Sequence, residues 1–456
     1  MTTSPALPQN LTDHPFPPGP TGLPLLGVLP DWRRDPLKLL ESAWRTHGSI
    51  FTVPLGVRTT MITAPHQVKH LLQDNHLNYV KGFDYQRMEP LLGQGLLTSN
   101  GEVWKRHRRL AQPSFHRERL AGFAALMVRK THEMLERWRA LGPRPVVELH
   151  AQLMRLTLEI VSASLFSAQL GDVTGAVGEA LGDALRMTDE RVNSVMALPL
   201  WVPTPFNLRY RKRLEVLDTV VCEIIAARRH QAPSDDLLSM LMLARDEGSG
   251  RAALDDRALR DEVMTMILAG HETTANALTF AQLLLTQHPA IEQRLRASVD
   301  AGLEGRDGTS DLSRLTYTRQ VAEEAMRLYP PAWLFGRQAL ADDVIDGFKV
   351  PAKSLVLAVP YLTHRDPNVW PDPERFDPER FSPEQAANRH RFAYYPFSAG
   401  PRQCIGNGFA MMELQLVLAT LSQHVSIQVL EPERVEVETS ITLRPKNAMH
   451  ARVEFR

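Results

Sequence analysis

The order of apolar and polar positions along the chain predicts a protein built mainly from helices. Residues 1–30 are rich in proline, which predicts an extended segment without helix. A helix is predicted around Pro36–His47, and residues 50–63 have the composition of two strands with a turn between them. From about residue 65 to 330, apolar residues recur at helical spacing between short Gly- and Pro-rich interruptions.

The C-terminal part of the chain has a different pattern. Short β-like runs such as Leu355–Val359 and Val425–Val429 alternate with long irregular loops. No internal repeat and no interdomain linker is visible. We therefore expect a mainly α fold with small β-sheets, arranged as a proline-rich segment (1–30) and a single domain (31–456).

The longest helical pattern extends from about Asp256 to His288, and its middle carries unusual chemistry. The segment reads Ala269-Gly-His-Glu-Thr-Thr274, in which two small residues precede an acid and an alcohol. Small Ala269 and Gly270 remove side-chain bulk, and the hydroxyl of Thr273 can hydrogen-bond to a carbonyl one turn earlier and loosen the helix. These residues and Glu272 predict space for a small ligand and water, whereas we interpret the intervening histidine as a packing residue.

A cysteine near the C-terminus stands in a distinctive setting. The segment Phe397-Ser-Ala-Gly400-Pro-Arg402-Gln-Cys404-Ile-Gly406 directly precedes an amphipathic helical run. The start of a helix favours a thiolate, and glycines allow close approach of the backbone to a flat partner. A lone cysteine is otherwise a small buried apolar residue, but the combined pattern favours a thiolate that ligates a metal.

The pattern Phe-x-x-Gly-x-Arg-x-Cys-x-Gly resembles the cysteine-ligand loop of the cytochrome P-450 family, the haem-thiolate monooxygenases. The resemblance covers nearly the whole chain and is to soluble bacterial members. It implies the family's fold, a triangular α-helical prism with a minor β region. It also implies haem b as the cofactor and dioxygen as co-substrate, with Cys404 as the iron ligand and Glu272 and Thr273 passing protons to dioxygen. Further haem contacts are implied for Ala269, Gly270, Phe397 and Gly406.

Basic residues are candidates for binding the haem propionates. Trp104 and Arg108 are one helical turn apart, a spacing that suits a pair of carboxylates, although the two residues alone could form a surface cation–π pair. Arg337 and Arg402 match the family's usual basic positions.

A second motif is expected to be structural. Glu324 and Arg327 share a helix face, and a Glu-x-x-Arg pair by itself is usually a weak surface ion pair. In the family this motif and a downstream arginine form a buried network that fixes the loop leading to the cysteine. Spacing from Trp370 favours Arg380 for the third position, with Arg375 as the competitor.

The substrate is specified less sharply than the chemistry. Ala332, Trp333 and Leu334 are predicted to line an apolar pocket, and the loop Leu198–Phe206 is either an apolar lid or packed between helices. Local phrases resemble bacterial carotenoid-hydroxylating members and fatty-acid hydroxylases. A small lipophilic substrate is therefore expected, a carotenoid or other terpenoid first and a fatty acid second.

Composition limits the partners and the compartment. The 456 residues contain 52 Lys and Arg against 52 Asp and Glu, so no nucleic-acid partner is indicated. Only Cys222 and Cys404 are present, which excludes a disulfide framework and favours a reducing compartment. The sequence shows neither a signal peptide nor an apolar run of about 18 residues. We therefore expect a cytoplasmic monomer without a transmembrane anchor. Peripheral contact with a membrane is compatible with this prediction.

Electrons must come from another protein, because no flavin or iron–sulfur motif is present in the sequence. A ferredoxin or flavodoxin with its reductase is the expected donor. A docking surface for it is predicted from the basic residues of one segment, for which a solvated face is the alternative: Lys105, Arg106, Arg108, Arg109, Arg117 and Arg119.

Other functional classes are compatible with a cysteine-ligated haem. A haem-thiolate peroxygenase or isomerase would need no electron carrier, but such variants usually lose the Glu–Thr pair. A non-catalytic haem sensor would lack a substrate pocket.

Overall fold

A computed structural model describes residues 11–23, 26–168, 174–194, 198–232, 236–244, 253–303 and 312–456. Residues 1–10 and 24–25 of the predicted N-terminal segment lie outside the described residues. The chain divides into two compact units. Unit 1 contains residues 1–86, 327–375 and 383–404, and unit 2 contains residues 87–326, 376–382 and 405–456.

Helices make up most of the regular structure in the described residues, and short strands lie between them. The helices are α1 (Leu29–Arg34), α2 (Pro36–His47), α3 (Pro65–Lys69), α4 (Phe83–Gln86), α5 (Glu89–Leu92), α6 (Gly101–Ala111), α7 (Arg117–Arg139), α8 (Leu149–Phe166), α9 (Thr174–Val192), α10 (Pro205–Arg229), α11 (Leu237–Leu243), α12 (Asp256–Gln287), α13 (Pro289–Leu303), α14 (Thr316–Leu328), α15 (Pro360–Thr363), α16 (Pro383–Ala386) and α17 (Asn407–His424). The strands are β1 (Ile50–Pro54), β2 (Arg58–Ile62), β3 (Tyr79–Val80), β4 (Val146–Glu148), β5 (Phe335–Ala339), β6 (Asp343–Ile345), β7 (Phe348–Val350), β8 (Leu355–Ala358), β9 (Val425–Val429), β10 (Val437–Thr439), β11 (Leu443–Pro445) and β12 (His450–Phe455).

The N-terminal prediction is wrong in two places. Residues Leu11–Asp13 form a 3₁₀ turn, and α1 begins at Leu29, inside the segment expected to lack helix. Pro30 lies in the first turn of α1, where the missing N–H of proline leaves no helical bond unmade. Proline thus starts this helix instead of preventing it.

Unit 1 is organised around a mixed sheet in the order β1-β2-β8-β5-β3. Strands β1 and β2 form the predicted antiparallel hairpin, and β2 pairs with β8 in parallel, with Ile62 opposite Ala358. All four residues of β8 are buried, as expected for a continuous apolar run at the centre of a sheet. A separate hairpin of β6 and β7 lies in the same unit.

Unit 2 is organised around the long helix α12. The side chain of Asp255 accepts a hydrogen bond from the Ala258 N–H (2.8 Å) and so caps the start of the helix. Helix α12 packs on α8 and α17, and α17 also packs on α7. Every residue from Asp261 to Leu285 is buried except Ala269, Gly270 and Thr273.

The predicted fold class, mainly α with small sheets, is confirmed. No helix among the described residues combines the length and the apolar character needed to cross a membrane. The assignment of residues 31–456 to a single domain stays a prediction.

Candidate active site

The loop that carries Cys404 belongs to unit 1. A 3₁₀ turn at Gly400–Arg402 leads into it, and the Cys404 N–H donates to the Phe397 carbonyl at 2.9 Å. Gly406 is the N-cap residue of α17, so Cys404 comes two residues before the cap. The Cys404 side chain is exposed, which leaves its sulfur accessible to a ligand.

Gly400 lies where two backbone segments of unit 1 approach each other closely. Its φ of +67° lies in the left-handed region, and a Cβ atom there would collide with the carbonyl oxygen of Leu72. Leu72 belongs to a π-helical turn, His70–Asp74, that continues α3. In unit 1 this glycine lets two backbone segments of the protein touch, and its close approach to a flat partner stays a prediction.

A group of cations lies around the buried Lys81 in unit 1. Burial lowers the pKa of Lys81 well below its usual range, and the positive charges of Arg337 and Arg402 lower it further. The opposing carboxylate is Asp84, whose own pKa is raised by burial. The Lys81 ammonium also lies 3.6 Å from the centre of the Tyr85 ring. A buried lysine flanked by two arginines, beside a carboxyl whose own pKa is raised, suits a bound dianion such as the two propionates of haem.

Sequence reasoning identified Arg337 and Arg402 but missed Lys81. The lysine directly follows β3 and belongs to no recognisable motif. Its burial, at 8% exposed, is the signal that distinguishes it, and burial is visible only in the structure.

The residues of the predicted Glu–Arg–Arg network have well-defined contacts. In unit 2, Glu324 is fully buried, accepts from the Asp377 N–H at 2.8 Å and lies 3.4 Å from the Arg380 guanidinium. Arg375, the competitor for the third position, is exposed.

Arg327 is held by main-chain oxygens within unit 1. Its guanidinium donates to the carbonyls of His364 (2.8 Å), Pro373 (2.7 Å) and Arg375 (3.2 Å). It also lies 5.2 Å from the Trp370 ring centre. Charge-assisted bonds of this kind fix the course of the irregular segment around 364–375.

The middle of α12 forms an accessible window in a buried helix of unit 2. The window consists of Ala269, Gly270 and Thr273. As predicted, the Thr273 hydroxyl donates to the Ala269 carbonyl, at 2.7 Å. Gly270 also allows α8 to approach, because an added Cβ would come within 2.9 Å of Val161.

Glu272 is buried beside this window. Burial raises the pKa of its carboxyl, while the Arg444 charge and a hydrogen bond from Thr442 lower it. The Arg444 guanidinium lies 3.6 Å from the Glu272 carboxyl. His271, the packing residue of the sequence interpretation, is buried, and burial lowers its pKa to about 3, which keeps it neutral.

Trp104 and Arg108 are half-buried on α6. Arg108 Nε donates to Gln112 at 2.9 Å. Between them, the buried His107 ring lies 2.6 Å from the Glu262 carboxyl of α12. This contact anchors α6 to α12 within unit 2.

The predicted substrate-lining residues differ in exposure. Ala332 and Leu334 are half-buried, but Trp333 is buried and its ring lies 6.1 Å from Trp32, so it packs inside unit 1. In the predicted lid, Trp201 is 78% exposed. Their contact with substrate stays a prediction.

Comparison with known proteins defines the class. A sequence profile of the Cytochrome P450 family matches residues 17–452. The chain is 35% identical over 410 residues to cyclooctatin synthase of Streptomyces melanosporofaciens, with 88% of each chain covered. It is 32% identical over 443 residues to pentalenene oxygenase of Streptomyces avermitilis, with 95% of each covered. The solved structure of retinoic acid-bound cyanobacterial CYP120A1 superposes with a TM-score of 0.85 at 28% identity, covering 97% of this chain and 100% of that one.

The chain therefore belongs to the cytochrome P450 family. Its bacterial relatives support its assignment to the bacterial type of this family. It is an oxygen-incorporating oxidoreductase that uses haem b and dioxygen. Members of the family act on lipophilic substrates and receive electrons from redox partners.

Replacing Gly400 should destabilise the protein more than replacing a glycine that has only an unusual φ. Gly56 provides the control, because its φ is +81° and nothing lies within 4 Å of an added Cβ. We expect Gly56→Ala to cost about 1–2 kcal/mol from left-handed strain, and Gly400→Ala to cost a further ~1–3 kcal/mol because the contact with Leu72 must open. Urea unfolding followed by circular dichroism measures both, and equal losses would contradict a special role for the Leu72 contact.

Replacing Lys81 should weaken haem retention. Lys81→Met removes one of the three cations, and we expect haem to be lost several-fold faster to an excess of apomyoglobin. Exposed Lys38 on α2 gives the matched control, and Lys38→Met should lose haem at the wild-type rate. If Lys81→Met also retains haem like the wild type, the cation cluster does not bind the propionates.

Proposed function

We propose that the chain hydroxylates a terpenoid, with Cys404 as the iron ligand and with Glu272 and Thr273 delivering protons. The observation that carries the proposal is the accessible window of α12, where Ala269, Gly270 and Thr273 interrupt a buried helix beside the buried acid Glu272. A window of small residues next to an acid and an alcohol suits the binding of dioxygen and the transfer of protons to it.

Haem ligated by a cysteine thiolate supplies oxygen activation and the insertion of one oxygen atom into a C–H bond. In this chain Cys404 would provide the thiolate. Lys81, Arg337 and Arg402 would neutralise the propionates, as would Trp104 and Arg108. Phe397 and Gly406 in the cysteine loop, and Ala269 and Gly270 in α12, would provide the remaining contacts of the macrocycle.

Glu272 and Thr273 would move protons by distinct means. The raised pKa of the buried Glu272 carboxyl allows it to hold a proton at a higher pH than an exposed glutamate does. Because the Thr273 hydroxyl donates to Ala269, the lone pairs of its oxygen remain available to accept a hydrogen bond. A buried acid with a raised pKa beside an accepting alcohol can hand over a proton on the accessible face of α12.

Glu324, Arg327 and Arg380 would position the protein around the cofactor without touching the substrate. The carbonyls that bind Arg327 belong to the segment that leads toward the cysteine loop. A buried arginine with main-chain partners resists displacement, because leaving it would strand a charge in the interior.

The electron donor would dock on basic residues at the surface. Lys105, Arg106, Arg109 and Arg117 are exposed in unit 2, on or next to α6. Lys105 is partly neutralised by Glu102, at 2.7 Å. This surface favours an acidic ferredoxin or flavodoxin, and the protein itself would act as a monomer.

Relatives support a terpenoid as substrate. Besides the cyclooctatin and pentalenene enzymes, cyclooctat-9-en-7-ol 5-monooxygenase of Streptomyces melanosporofaciens is 35% identical over 411 residues. The chain is also 29% identical to a plant relative, Protein LUTEIN DEFICIENT 5 of Arabidopsis thaliana. The name of this relative supports a carotenoid as one of the candidate terpenoids. Fatty acids are the second class, and half-buried Ala332 and Leu334 would contribute apolar contacts to either.

Replacing Cys404 tests the haem ligand directly. The ferrous carbon-monoxide complex of the wild type should show the strongly red-shifted Soret band of thiolate ligation, and Cys404→Ser should abolish that band. Cys222 is the other exposed cysteine, so Cys222→Ser should leave the spectrum unchanged. A red-shifted band that survives in Cys404→Ser would remove Cys404 as the ligand.

A spin-state titration tests the substrate class. We expect cyclic and linear terpenoids, including carotenoids, to displace water from the ferric haem and shift the Soret band at lower concentrations than fatty acids of similar length. Tighter binding of fatty acids than of every terpenoid would reverse the ranking.

A further inference from the structure

A hairpin near the C-terminus brings charged residues to Glu272 that no sequence motif identifies. In the pair of β10 and β11, Glu438 lies directly opposite Arg444. Arg444 Nε donates to Glu438 Oε2 at 2.7 Å, and its Nη1 lies 3.6 Å from Glu272 Oε1. The Glu272 side chain is 5% exposed and that of Glu438 is 42% exposed. One guanidinium therefore bridges a buried carboxyl and a carboxyl that reaches solvent.

A third carboxyl, Asp189 on α9, joins this cluster. Burial raises the pKa of Asp189 to about 6, and the Glu438 charge raises it too, while the Arg444 charge lowers it. Asn193 and Ser440 provide hydrogen bonds that also lower it. A partly exposed carboxyl with this pKa exchanges protons with water close to neutral pH.

Hydrogen bonds attach the hairpin to the helices around it. Thr442, between the two strands, interacts with the Glu272 carboxyl and accepts from Asn276 Nδ2 at 3.1 Å. The side-chain oxygen Oδ1 of Asn276 lies 2.8 Å from the His150 ring on α8. These bonds hold the hairpin, and with it Arg444, in register with α12.

The remaining titratable groups nearby are neutral. Burial lowers the pKa of His150 on α8 and that of His271 on α12, so both rings stay uncharged at neutral pH. Burial raises the pKa of Glu413 on α17 well above its usual range, which keeps it protonated. The charge that acts on Glu272 therefore comes from the hairpin.

We propose that Asp189 and Glu438 form the solvent end of a proton path to Glu272, and that Arg444 is the positioning residue that controls proton uptake by Glu272. The inference rests on the proposed role of Glu272 and Thr273 in proton delivery. Arginine keeps its charge at all relevant pH values, so Arg444 transfers no proton itself. Arg444 acts by pairing either with the buried Glu272 carboxyl or with the Glu438 carboxyl at the surface, and it stabilises the ionised form of the one with which it pairs.

The movement of one proton follows from this arrangement. When Arg444 pairs with Glu438, the Glu272 carboxylate loses its counter-charge and takes up a proton from the water that reaches the outer carboxyls Glu438 and Asp189. When Arg444 returns toward Glu272, the carboxylate form is stabilised and the proton passes to the Thr273 oxygen, which gives up its own hydroxyl proton on the accessible face. One proton enters and one leaves, and no redox step is involved.

Infrared titration of the haem-bound protein gives a readout that does not depend on turnover. The difference between wild type and Glu272→Gln isolates the carboxyl band of Glu272. Arg444→Met should shift the midpoint of that band upward by about one to three pH units, because the lost cation had favoured the carboxylate. Glu438→Gln should shift it downward, because the Glu438 charge raises the Glu272 pKa and its loss frees Arg444 for Glu272.

Turnover under proton limitation gives the second readout. Glu438→Gln should increase the fraction of electrons diverted to peroxide and the solvent deuterium isotope effect on kcat several-fold, with KM for the substrate unchanged. Coupled turnover should fall as pH rises through about 6, because Asp189 must be protonated to donate, and Asp189→Asn should abolish this pH dependence. The matched control is Glu436→Gln, since Glu436 lies just before β10 and pairs with Lys446, outside the cluster, and it should behave like the wild type.

Several outcomes decide between the proposals. If Glu272→Gln and Thr273→Ala leave coupling unchanged, the role of those residues is wrong and this inference falls with it. If both uncouple the enzyme but Arg444 and Glu438 variants shift the Glu272 band in the same direction or not at all, only the hairpin path is overturned. Should Arg444→Met fail to fold, Arg444→Lys must restore wild-type behaviour and Glu438→Gln alone must give the downward shift.

Discussion

The functional parts of both units depend on one physical constraint, which is the free-energy cost of transferring a charged group from water into the protein interior. A charged group in a low-dielectric interior is stable only when other charges or dipoles replace its lost hydration. In unit 1 this applies to Lys81, which lies with Arg337 and Arg402 where their repulsion and burial together lower its pKa. In unit 2 it applies to Glu272, whose buried carboxyl is offset by the Arg444 charge. At both places burial disfavours the charged form of the side chain. An anionic cofactor near Lys81, or a proton on Glu272, would remove this unfavourable energy.

Around Arg327 and Glu324 the buried charges have close partners, and the result is rigidity. Arg327 is surrounded by three carbonyl oxygens, and Glu324 accepts a main-chain N–H and faces Arg380. Groups satisfied in this way have no reason to change protonation or partner. The contrast separates residues that hold the fold in place from Lys81 and Glu272, whose environments leave room for a ligand or a proton.

Sequence alone predicted the parts of the molecule that depend on local pattern. The bounds of α12 came within one residue of the predicted helix, and the Thr273 hydrogen bond follows from the side chain's reach along one helical turn. Lys81 and Arg444 could not be found in this way, since their importance comes from neighbours that are distant in the chain, Arg337 and Arg402 for Lys81 and Glu272 for Arg444. For Gly400 the residue type indicated a close approach of the backbone, but the contact with Leu72 could not be predicted, because only the tertiary structure supplies that partner.

Two buried acids in unit 2 show why burial alone does not make a proton carrier. Glu413 on α17 is fully buried, and burial raises the pKa of its carboxyl well above the usual range, while the Thr274 hydroxyl acts in the opposite direction. Such an acid stays protonated and has no means of releasing its proton. Glu272 is buried almost as deeply, but Arg444 stabilises its ionised form. Because a proton carrier must be stable in both protonation states, the nearby cation distinguishes Glu272 from Glu413 and supports the proton-delivery role proposed for Glu272.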